Sequence, residues 1–150
     1  MIWLAFPAFV ILSVRLAVVL VNLLSRQYLR EEVPAHPSLV SVLIPARNEE
    51  KTLPHLLEGL LEQDYDQLEF LIYNDDSTDG TGKVLDHYAG KDDRIRVLLG
   101  AGLPEGWNGK NNACHQLSLQ ARGDYFLYLD ADVQVAPGLI RKAVAYAQRY

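Results

Sequence analysis

The chain has 150 residues, of which 49% are hydrophobic and 22% are charged, a composition typical of one globular domain with a short apolar addition. Its single cysteine, Cys114, excludes a disulfide framework and a cysteine-built zinc site. The net charge of −5 argues against a general nucleic-acid-binding protein, which would carry a basic face.

Charge is divided unevenly along the chain. Residues 1–30 contain three arginines and no acidic residue, whereas residues 31–150 contain 11 basic and 19 acidic residues. A basic, apolar head followed by an acidic body is typical of a soluble domain attached to a membrane.

The segment 2–24 is apolar enough to cross a membrane, since it holds fifteen Leu, Ile, Val or Phe side chains. Arg15 in its middle opposes insertion by about 3 kcal/mol, against roughly −7 kcal/mol from the apolar residues. We therefore predict a transmembrane anchor over residues 1–25. Arg26 and Arg30 follow it, so the body is predicted on the cytoplasmic side of the cell membrane. A cleaved signal peptide and an amphipathic or core-packed helix are the alternatives.

The rest of the chain alternates between short apolar runs and segments with helical spacing. Residues 26–38 are predicted to be a linker, because EEVPAHPS is polar and contains two prolines. The predicted strands are Val40–Ile44, Leu68–Tyr73, Ile95–Leu99 and Tyr125–Leu129. The predicted helices run from Leu53 to Leu61 with Thr52 as N-cap and Pro54 in the first turn, from Thr81 to Ala89, from Lys110 to Ala121, and from Leu139 onward after Pro137.

Strands separated by helices of this length predict an α/β fold, with a mainly parallel sheet, right-handed crossovers and flanking helices. Arg94 and Arg96 alternate with Ile95 and Val97, which predicts a solvated face on the third strand. The last helical stripe reaches Tyr150 without a cap, so we expect the chain to be the N-terminal part of a longer protein.

Polar side chains follow three of the predicted strands, at the carboxyl edge of the sheet, where open parallel sheets bind ligands. They are Pro45, Arg47, Asn48 and Glu49 after the first strand, Asn74, Asp75, Asp76 and Asp79 after the second, and Asp130 and Asp132 after the fourth.

Asp130 and Asp132 occupy alternate positions just past a buried strand. Two hard oxygen ligands there suit Mn²⁺ or Mg²⁺, particularly when a substrate diphosphate completes the coordination. The simplest alternative is that both acids only cap the following turn. A second alternative is a metal-dependent phosphohydrolase of the haloacid dehalogenase type with Asp130 as nucleophile, although that motif normally follows the first strand of its domain.

Together these segments resemble glycosyltransferase family 2, enzymes of the GT-A fold that use nucleotide sugars. The resemblance runs from about Ser38 to Tyr150 and rests on four segments in order: SVLIPARNEE, EFLIYNDDSTDGT, GWNGKNNA and ARGDYFLYLDADV. It implies a Rossmann-like donor-binding domain over residues 39–150.

The resemblance also implies a role for each residue on the base and ribose side. The turn with Pro45, Arg47 and Glu49 would touch the nucleotide base and ribose, and Asp75 would hydrogen-bond a uracil-like base edge. Asn74 stands where the family usually has an aspartate; its amide still hydrogen-bonds a base edge but adds no charge. UDP is the donor nucleotide that the resemblance favours.

On the phosphate side, the resemblance implies that Lys110 approaches the nucleotide or its phosphates. Asp130 would face the ribose or a water on the metal, and Asp132 would ligate the divalent cation. The family's catalytic base lies well downstream of Asp132, so we expect it beyond Tyr150 and expect this chain alone to be catalytically incomplete.

The segment LPEGWNGKNNACHQL further resembles enzymes that act on lipidic acceptors, such as carotenoid or hopanoid glycosyltransferases. With the predicted anchor, this implies metal-assisted transfer of a sugar, with inversion, from a nucleotide sugar to a lipidic or membrane-borne acceptor. The non-enzymatic alternative is a truncated chain that binds nucleotide or a partner subunit without turnover.

Overall fold

The computed structural model describes residues 2–25, 29 and 31–149. It divides into two compact units, Met1–Arg30 and Glu31–Tyr150. The first unit contains one helix, α1 (Ile2–Leu24), with the bounds of the predicted apolar segment. Its stretch Phe6–Leu24 has a mean hydropathy of 2.2 and no buried residue, so it is long and apolar enough to cross a membrane. Arg26 and Arg30, on which the predicted orientation depends, lie outside the described residues.

The second unit is an α/β domain, which confirms the predicted fold class. Its elements are β1 (Val40–Ala46), α2 (Leu53–Leu61), β2 (Leu68–Asn74), α3 (Thr81–Ala89), β3 (Ile95–Leu99), α4 (Gly109–Gln120), β4 (Tyr125–Tyr128) and α5 (Leu139–Arg149). The strands form one sheet in the order β3-β2-β1-β4, and every neighbouring pair is parallel.

Apolar side chains cover both faces of the sheet, as expected when helices fill the crossovers of a parallel sheet. On one face, Val42, Ile44 and Phe70 pack with leucines of α2 and with residues of α3 and α5 in the larger core. On the other face, Leu43 and Leu71 pack with Ala113 and Leu117 of α4 and with Tyr73. The second unit therefore has three layers, with α2, α3 and α5 on one face of the sheet and α4 on the other.

β1 extends two residues beyond its predicted end at Ile44. Ala46 O accepts a hydrogen bond from Asp75 N at 2.9 Å, so the even-numbered residues of β1 bond to the β2 side. Pro45 therefore faces the β4 side, where the paired register has already ended at Leu43. The missing N–H of proline removes no ladder hydrogen bond there, and the strand continues through it.

The start of α2 differs from the prediction in one detail. Pro54 lies in the first turn, as predicted, and Thr52 occupies the N-cap position. The Thr52 hydroxyl accepts from no helix N–H and donates to the Glu49 carboxylate. The N-cap residue therefore joins the start of the helix to the loop after β1.

A cluster of polar side chains and backbone N–H groups, which we call the amino-end cluster, joins the amino ends of the strands. It consists of Ser41, Glu69, Arg96 and the backbone N–H groups of Arg122 and Gly123. Glu69 accepts from the Ser41 hydroxyl at 2.6 Å, from Arg122 N at 2.7 Å and from Arg96 Nη1 at 3.3 Å, and Gly123 N donates to Ser41 Oγ at 2.8 Å. The predicted solvated face of β3 is thus wrong at Arg96, whose side chain is 30% exposed and paired with Glu69.

Residues 31–38, part of the predicted linker, contact α5. Ala35 N donates to Gln148 Oε1 at 2.7 Å, and Arg141 Nη1 donates to Glu32 O at 3.1 Å. The boundary between the two compact units falls before Glu31. The assignment of residues 26–38 as linker and 39–150 as the functional domain stays a prediction.

Candidate nucleotide-binding site

A cavity of about 460 Å³ opens at the carboxyl edge of the sheet. All of the predicted site residues except Asn74 line it. The lining consists of Pro45, Ala46, Arg47, Glu49, Asp75, Asn108, Gly109, Lys110, Ala113, Asp130, Ala131 and Asp132. The ends of β1, β2 and β4 therefore meet the start of α4 around one cavity, as the carboxyl-edge rule predicts.

The two aspartates after β4 reach the cavity on either side of a buried alanine. Ala131 is 4% exposed, whereas Asp130 and Asp132 are exposed. The buried alanine anchors the turn, and the carboxylates on both sides of it line the cavity.

Lys110 in the first turn of α4 is the cation of the cavity wall closest to these acids. Its Nζ lies 2.6 Å from Asp130 Oδ1, and both side chains are more than half exposed. The hydrogen bond to Asp130 raises the pKa of Lys110, so the ammonium stays charged at neutral pH. The pair leaves most of the hydrogen-bonding capacity of both groups open to a ligand.

The start of α4 is shaped by an Asn-Gly pair that the sequence interpretation did not single out. Asn108 is extended, and its side-chain oxygen accepts from Lys110 N at 3.1 Å, which makes it the N-cap. A Cβ on Gly109 would lie 3.1 Å from Asp75 Oδ2, so the absence of a side chain lets α4 approach the loop after β2. An asparagine directly before a helical segment is the capping signal that identifies Asn108.

Arg47 and Asp75 line the cavity from the loops after β1 and β2. Arg47 Nη1 lies 3.4 Å from Asp75 Oδ2, and the arginine side chain is 64% exposed. The Asp75 side chain is 17% exposed, so it is Arg47, held by one long contact, that has most of its donors available to a ligand.

Asn74, unlike the other residues to which the resemblance gives a role, is not among the lining residues of the cavity. Its side-chain oxygen accepts from Ser77 N at 3.2 Å, and its carbonyl accepts from Gly100 N at 2.9 Å. The structure therefore places Asn74 at the end of β2, next to Asp75, with its side chain bonded to the turn that follows.

The loops after β1 and β2 contain an unusual backbone conformation. Among the described residues, Asn48 (φ 58°) and Asp76 (φ 49°) are the non-glycine residues with positive φ. Each such conformation costs on the order of 1–3 kcal/mol and persists when surrounding contacts hold it. Asparagine and aspartate tolerate it best among the non-glycine residues.

The donor set of the cavity suits a divalent cation only in part. Asp130 and Asp132 supply the carboxylate oxygens that Mn²⁺ and Mg²⁺ prefer. No cluster of three or more His, Cys, Asp or Glu side chains able to hold a metal ion is found among residues 2–25, 29 and 31–149. An ion here would need further oxygen ligands, such as those of a diphosphate.

The sequence matches a known family over most of the domain. The family model described as "Glycosyl transferase family 2" matches residues 41–150. The chain belongs to glycosyl transferase family 2. This confirms the resemblance to that family and favours the transferase interpretation of the Asp130 and Asp132 pair over the phosphohydrolase alternative.

Individual family members are similar over about the same region. A beta-monoglucosyldiacylglycerol synthase of Nostoc sp. (strain PCC 7120 / SAG 25.82 / UTEX 2576) is 31% identical over 125 residues, 82% of this chain and 26% of the relative. The structure of S. aureus TarS 1–349 in complex with UDP-GlcNAc is 26% identical with a TM-score of 0.65, covering 74% of this chain and 31% of that one.

A third comparison shows the fold alone. The mannosyltransferase PcManGT from Pyrobaculum calidifontis, in complex with GDP-Man and Mn²⁺, is 23% identical with a TM-score of 0.68, covering 82% of this chain and 36% of that one. The domain is thus of the GT-A class. The chain spans roughly a quarter to a third of the length of these relatives.

Proposed function

We propose that this chain is the donor-binding part of a glycosyltransferase that transfers a sugar from a UDP-sugar to a lipidic or membrane-borne acceptor. The observation that carries the proposal is the convergence of Asp75, Arg47, Lys110, Asp130 and Asp132 around one cavity at the carboxyl edge of the sheet. A group that accepts from a base, cations for a diphosphate and paired carboxylates for a metal are the parts that a nucleotide sugar requires.

The base and ribose are proposed to lie against the loops after β1 and β2. Asp75 offers carboxylate oxygens to an imide N–H such as that of uracil, and Arg47 and Glu49 flank it from the neighbouring loop. The TarS structure carries UDP-GlcNAc, which supports the choice of a uridine nucleotide. The donor nucleotide stays a proposal for this chain, as do Pro45 and Asn74 as contact residues.

The diphosphate is proposed to lie between α4 and the turn after β4. The N-terminus of α4 presents backbone N–H groups and partial positive charge to the cavity, and Lys110 adds a full charge beside it. Asp130 and Asp132 would hold Mn²⁺ or Mg²⁺ together with phosphate oxygens. The ion, when bound, neutralises charge on the departing diphosphate.

Lys110 then serves the transfer itself. A direct displacement at the anomeric carbon inverts its configuration and leaves a nucleoside diphosphate with added negative charge. The ammonium of Lys110, which lies in the cavity wall 2.6 Å from Asp130, is positioned to stabilise that charge. The acceptor and its general base belong to the proposal for the whole protein, whose relatives are several times longer than the matched segment.

The acceptor class is proposed from two features. The helix α1 is long and apolar enough to cross a membrane. The relative from Nostoc is named for synthesis of a glucosyldiacylglycerol, a membrane lipid. A donor-binding domain carried on a membrane anchor would meet such an acceptor at the bilayer surface, on the cytoplasmic side by the positive-inside rule. Carotenoid- and hopanoid-like acceptors stay within this proposal.

Donor binding is tested by titrating the full chain, in detergent micelles with Mn²⁺, with UDP, GDP, ADP and inorganic diphosphate. We expect UDP to bind most tightly and diphosphate weakly, because the base contributes through Asp75. Equal binding of all four would remove the uridine assignment. A phosphoenzyme trapped at Asp130 after incubation with a phosphate ester would instead support the phosphohydrolase.

The proposed orientation is tested with one exposed cysteine. In a Cys114→Ser background, Lys51→Cys places a thiol on the exposed loop before α2. A membrane-impermeant maleimide should not label this thiol in intact cells and should label it once the cells are permeabilised. A Ser25→Cys variant just beyond α1 is the matched control for the same side. Labelling of Lys51→Cys in intact cells would contradict the cytoplasmic assignment.

A further inference from the structure

The loops after β1 and β2 are joined by hydrogen bonds outside the cavity, which we call the loop clasp. It connects residues 48–50 to residues 77–81. The Asn48 side-chain oxygen accepts from Thr78 N at 2.8 Å, and Asn48 N donates to Ser77 Oγ at 3.0 Å. The side chain and backbone of one residue therefore both bond to the opposite loop.

The clasp continues along both loops with reciprocal contacts. Glu50 N donates to Asp79 Oδ2 at 3.2 Å, and Gly80 N donates to Glu50 Oε2 at 3.0 Å. Glu49 N donates to Thr81 Oγ1 at 2.8 Å. Beyond the last paired residues of β1 and β2 the sheet ladder has ended, so these contacts replace it.

The clasp overlaps in sequence with the cavity wall. Asn48 lies between Arg47 and Glu49, which both line the cavity, but is itself outside the lining. Its left-handed backbone, with φ of 58°, reverses the chain between them. A shift at Asn48 is therefore transmitted by the backbone to Arg47 on one side and to Glu49 on the other.

We infer that the loop clasp sets the distance between the loops after β1 and β2, which carry Arg47 and Asp75, and that Asn48 is a positioning residue for Arg47. Through Asn48 the clasp holds the guanidinium of Arg47 opposite Asp75, at 3.4 Å in the structure. Binding then requires no further ordering of either loop, which favours affinity. This inference rests on the proposed nucleotide-binding function and adds the residues that preorganise the site.

The test uses Asn48→Gly in the full chain in detergent. Glycine adopts the left-handed conformation freely, so the variant removes the side-chain acceptor and retains the backbone turn. We expect the Kd for UDP in the presence of Mn²⁺ to rise about tenfold, the effect of one lost positioning interaction. Thr78→Ala is the matched control, because it removes only the long 3.4 Å contact from the Thr78 hydroxyl and keeps the backbone N–H that donates to Asn48 at 2.8 Å; its Kd should change less than about twofold.

A double-mutant cycle separates positioning from a general loss of stability. If Asn48 acts through Arg47, Asn48→Gly should change the Kd by less than about twofold in an Arg47→Ala background. A tenfold effect that persists in that background would overturn the inference, and so would a wild-type Kd in Asn48→Gly. Absence of UDP binding in the wild type would be a failure of the proposed function instead.

Hydrogen exchange without nucleotide tests the clasp independently of any ligand. In Asn48→Gly we expect faster exchange at Glu49, Glu50 and Gly80 as well as at Thr78, because the clasp opens as a unit. Faster exchange at Thr78 alone would show that the contacts are independent, and would overturn the clasp even if UDP binds.

Discussion

A carboxylate paired with a basic side chain lies at each end of the same sheet, and the two carboxylates differ in their exposure and in their hydrogen bonds. At the amino end, Glu69 is 8% exposed and accepts from Ser41, Arg96 and the Arg122 N–H. At the carboxyl edge, Asp130 is 55% exposed and is paired with Lys110. The first carboxylate has its hydrogen-bonding capacity filled by the protein, whereas the second retains capacity for a ligand.

The difference separates structural from functional charge. Burial opposes ionisation of Glu69, but the hydrogen bonds from Ser41 and Arg122 and the nearby Arg96 outweigh it and lower the pKa of Glu69. The protein has therefore stabilised a charge that no ligand reaches. At the carboxyl edge the protein leaves exposed charges that a nucleotide and a cation can complete, which is what a binding site requires.

The largest expected effect comes from breaking the amino-end cluster. Glu69→Ala leaves the Ser41 hydroxyl and the Arg122 N–H without their acceptor and Arg96 without its partner, so the free energy of unfolding should fall by about 3 kcal/mol. Urea unfolding followed by circular dichroism measures it. UDP affinity of the folded variant should stay near that of the wild type.

Glu69→Gln is the matched control, because it keeps an oxygen acceptor and removes the charge; its loss should be near 1 kcal/mol. Since the pKa of Glu69 is lowered, its stabilisation is present above its unfolded pKa and is lost as pH falls through the folded value. A Glu69→Ala loss below about 0.5 kcal/mol would show that the cluster is not structural.

At the other end of the sheet, Lys110→Ala should have the opposite effects: stability should be retained and UDP binding should weaken. Because the Lys110 and Asp130 pair is exposed, its removal should leave unfolding nearly unchanged. Loss of a charged contact to the diphosphate should raise the Kd for UDP about tenfold, measured by calorimetric titration. Lys83→Ala, an exposed lysine on α3 outside the cavity lining, is the control that should leave the Kd unchanged.

A smaller effect on stability is expected from Asp79 of the loop clasp, and it should depend on pH. The Thr81 hydroxyl, with the N–H groups of Thr81 and Glu50, outweighs burial and lowers the pKa of Asp79. Its contribution to stability is therefore present above its unfolded pKa of about 4 and is lost as pH falls through the lower folded value. The melting temperature of Asp79→Asn should lie below that of the wild type at pH 7, and the gap should close in acid.

Asp86→Asn, an exposed aspartate on α3 outside the clasp, is the control for this comparison. A gap between wild type and Asp79→Asn that stays constant from pH 7 to pH 3 would contradict a stabilising role of the ionised Asp79.

The sequence predicted what depends on local pattern. The bounds predicted for α3 and β3 from apolar spacing are the observed ones. Carboxylates that directly follow predicted strands line the cavity. The sequence did not predict which side chains meet across neighbouring strands. Arg96 alternates with apolar residues as a solvated residue does, and only the fold brings Glu69 to it.

The same limit explains the position of Asn74 and the cavity residue Gly109. The turn after β2 draws the Asn74 side chain to Ser77 N, a local choice that the strand-end pattern does not distinguish from exposure to a ligand. Gly109 matters because Asp75, on another loop, approaches it closely. The position of the Asn74 side chain and the role of Gly109 both depend on loop contacts, which cannot be predicted from the periodicity of a single strand.

The most direct test of the account is thermal unfolding of the full chain in mild detergent, with and without UDP and Mn²⁺, beside Asp132→Asn. A ligand at 100 times its Kd stabilises a protein by about 2.7 kcal/mol, which corresponds to several degrees for a domain of this size. We predict a rise in melting temperature that requires UDP and Mn²⁺ together and disappears in Asp132→Asn. A folded wild-type chain whose melting temperature does not respond to the pair would contradict the assignment of the carboxyl-edge cavity as a metal-dependent uridine nucleotide site.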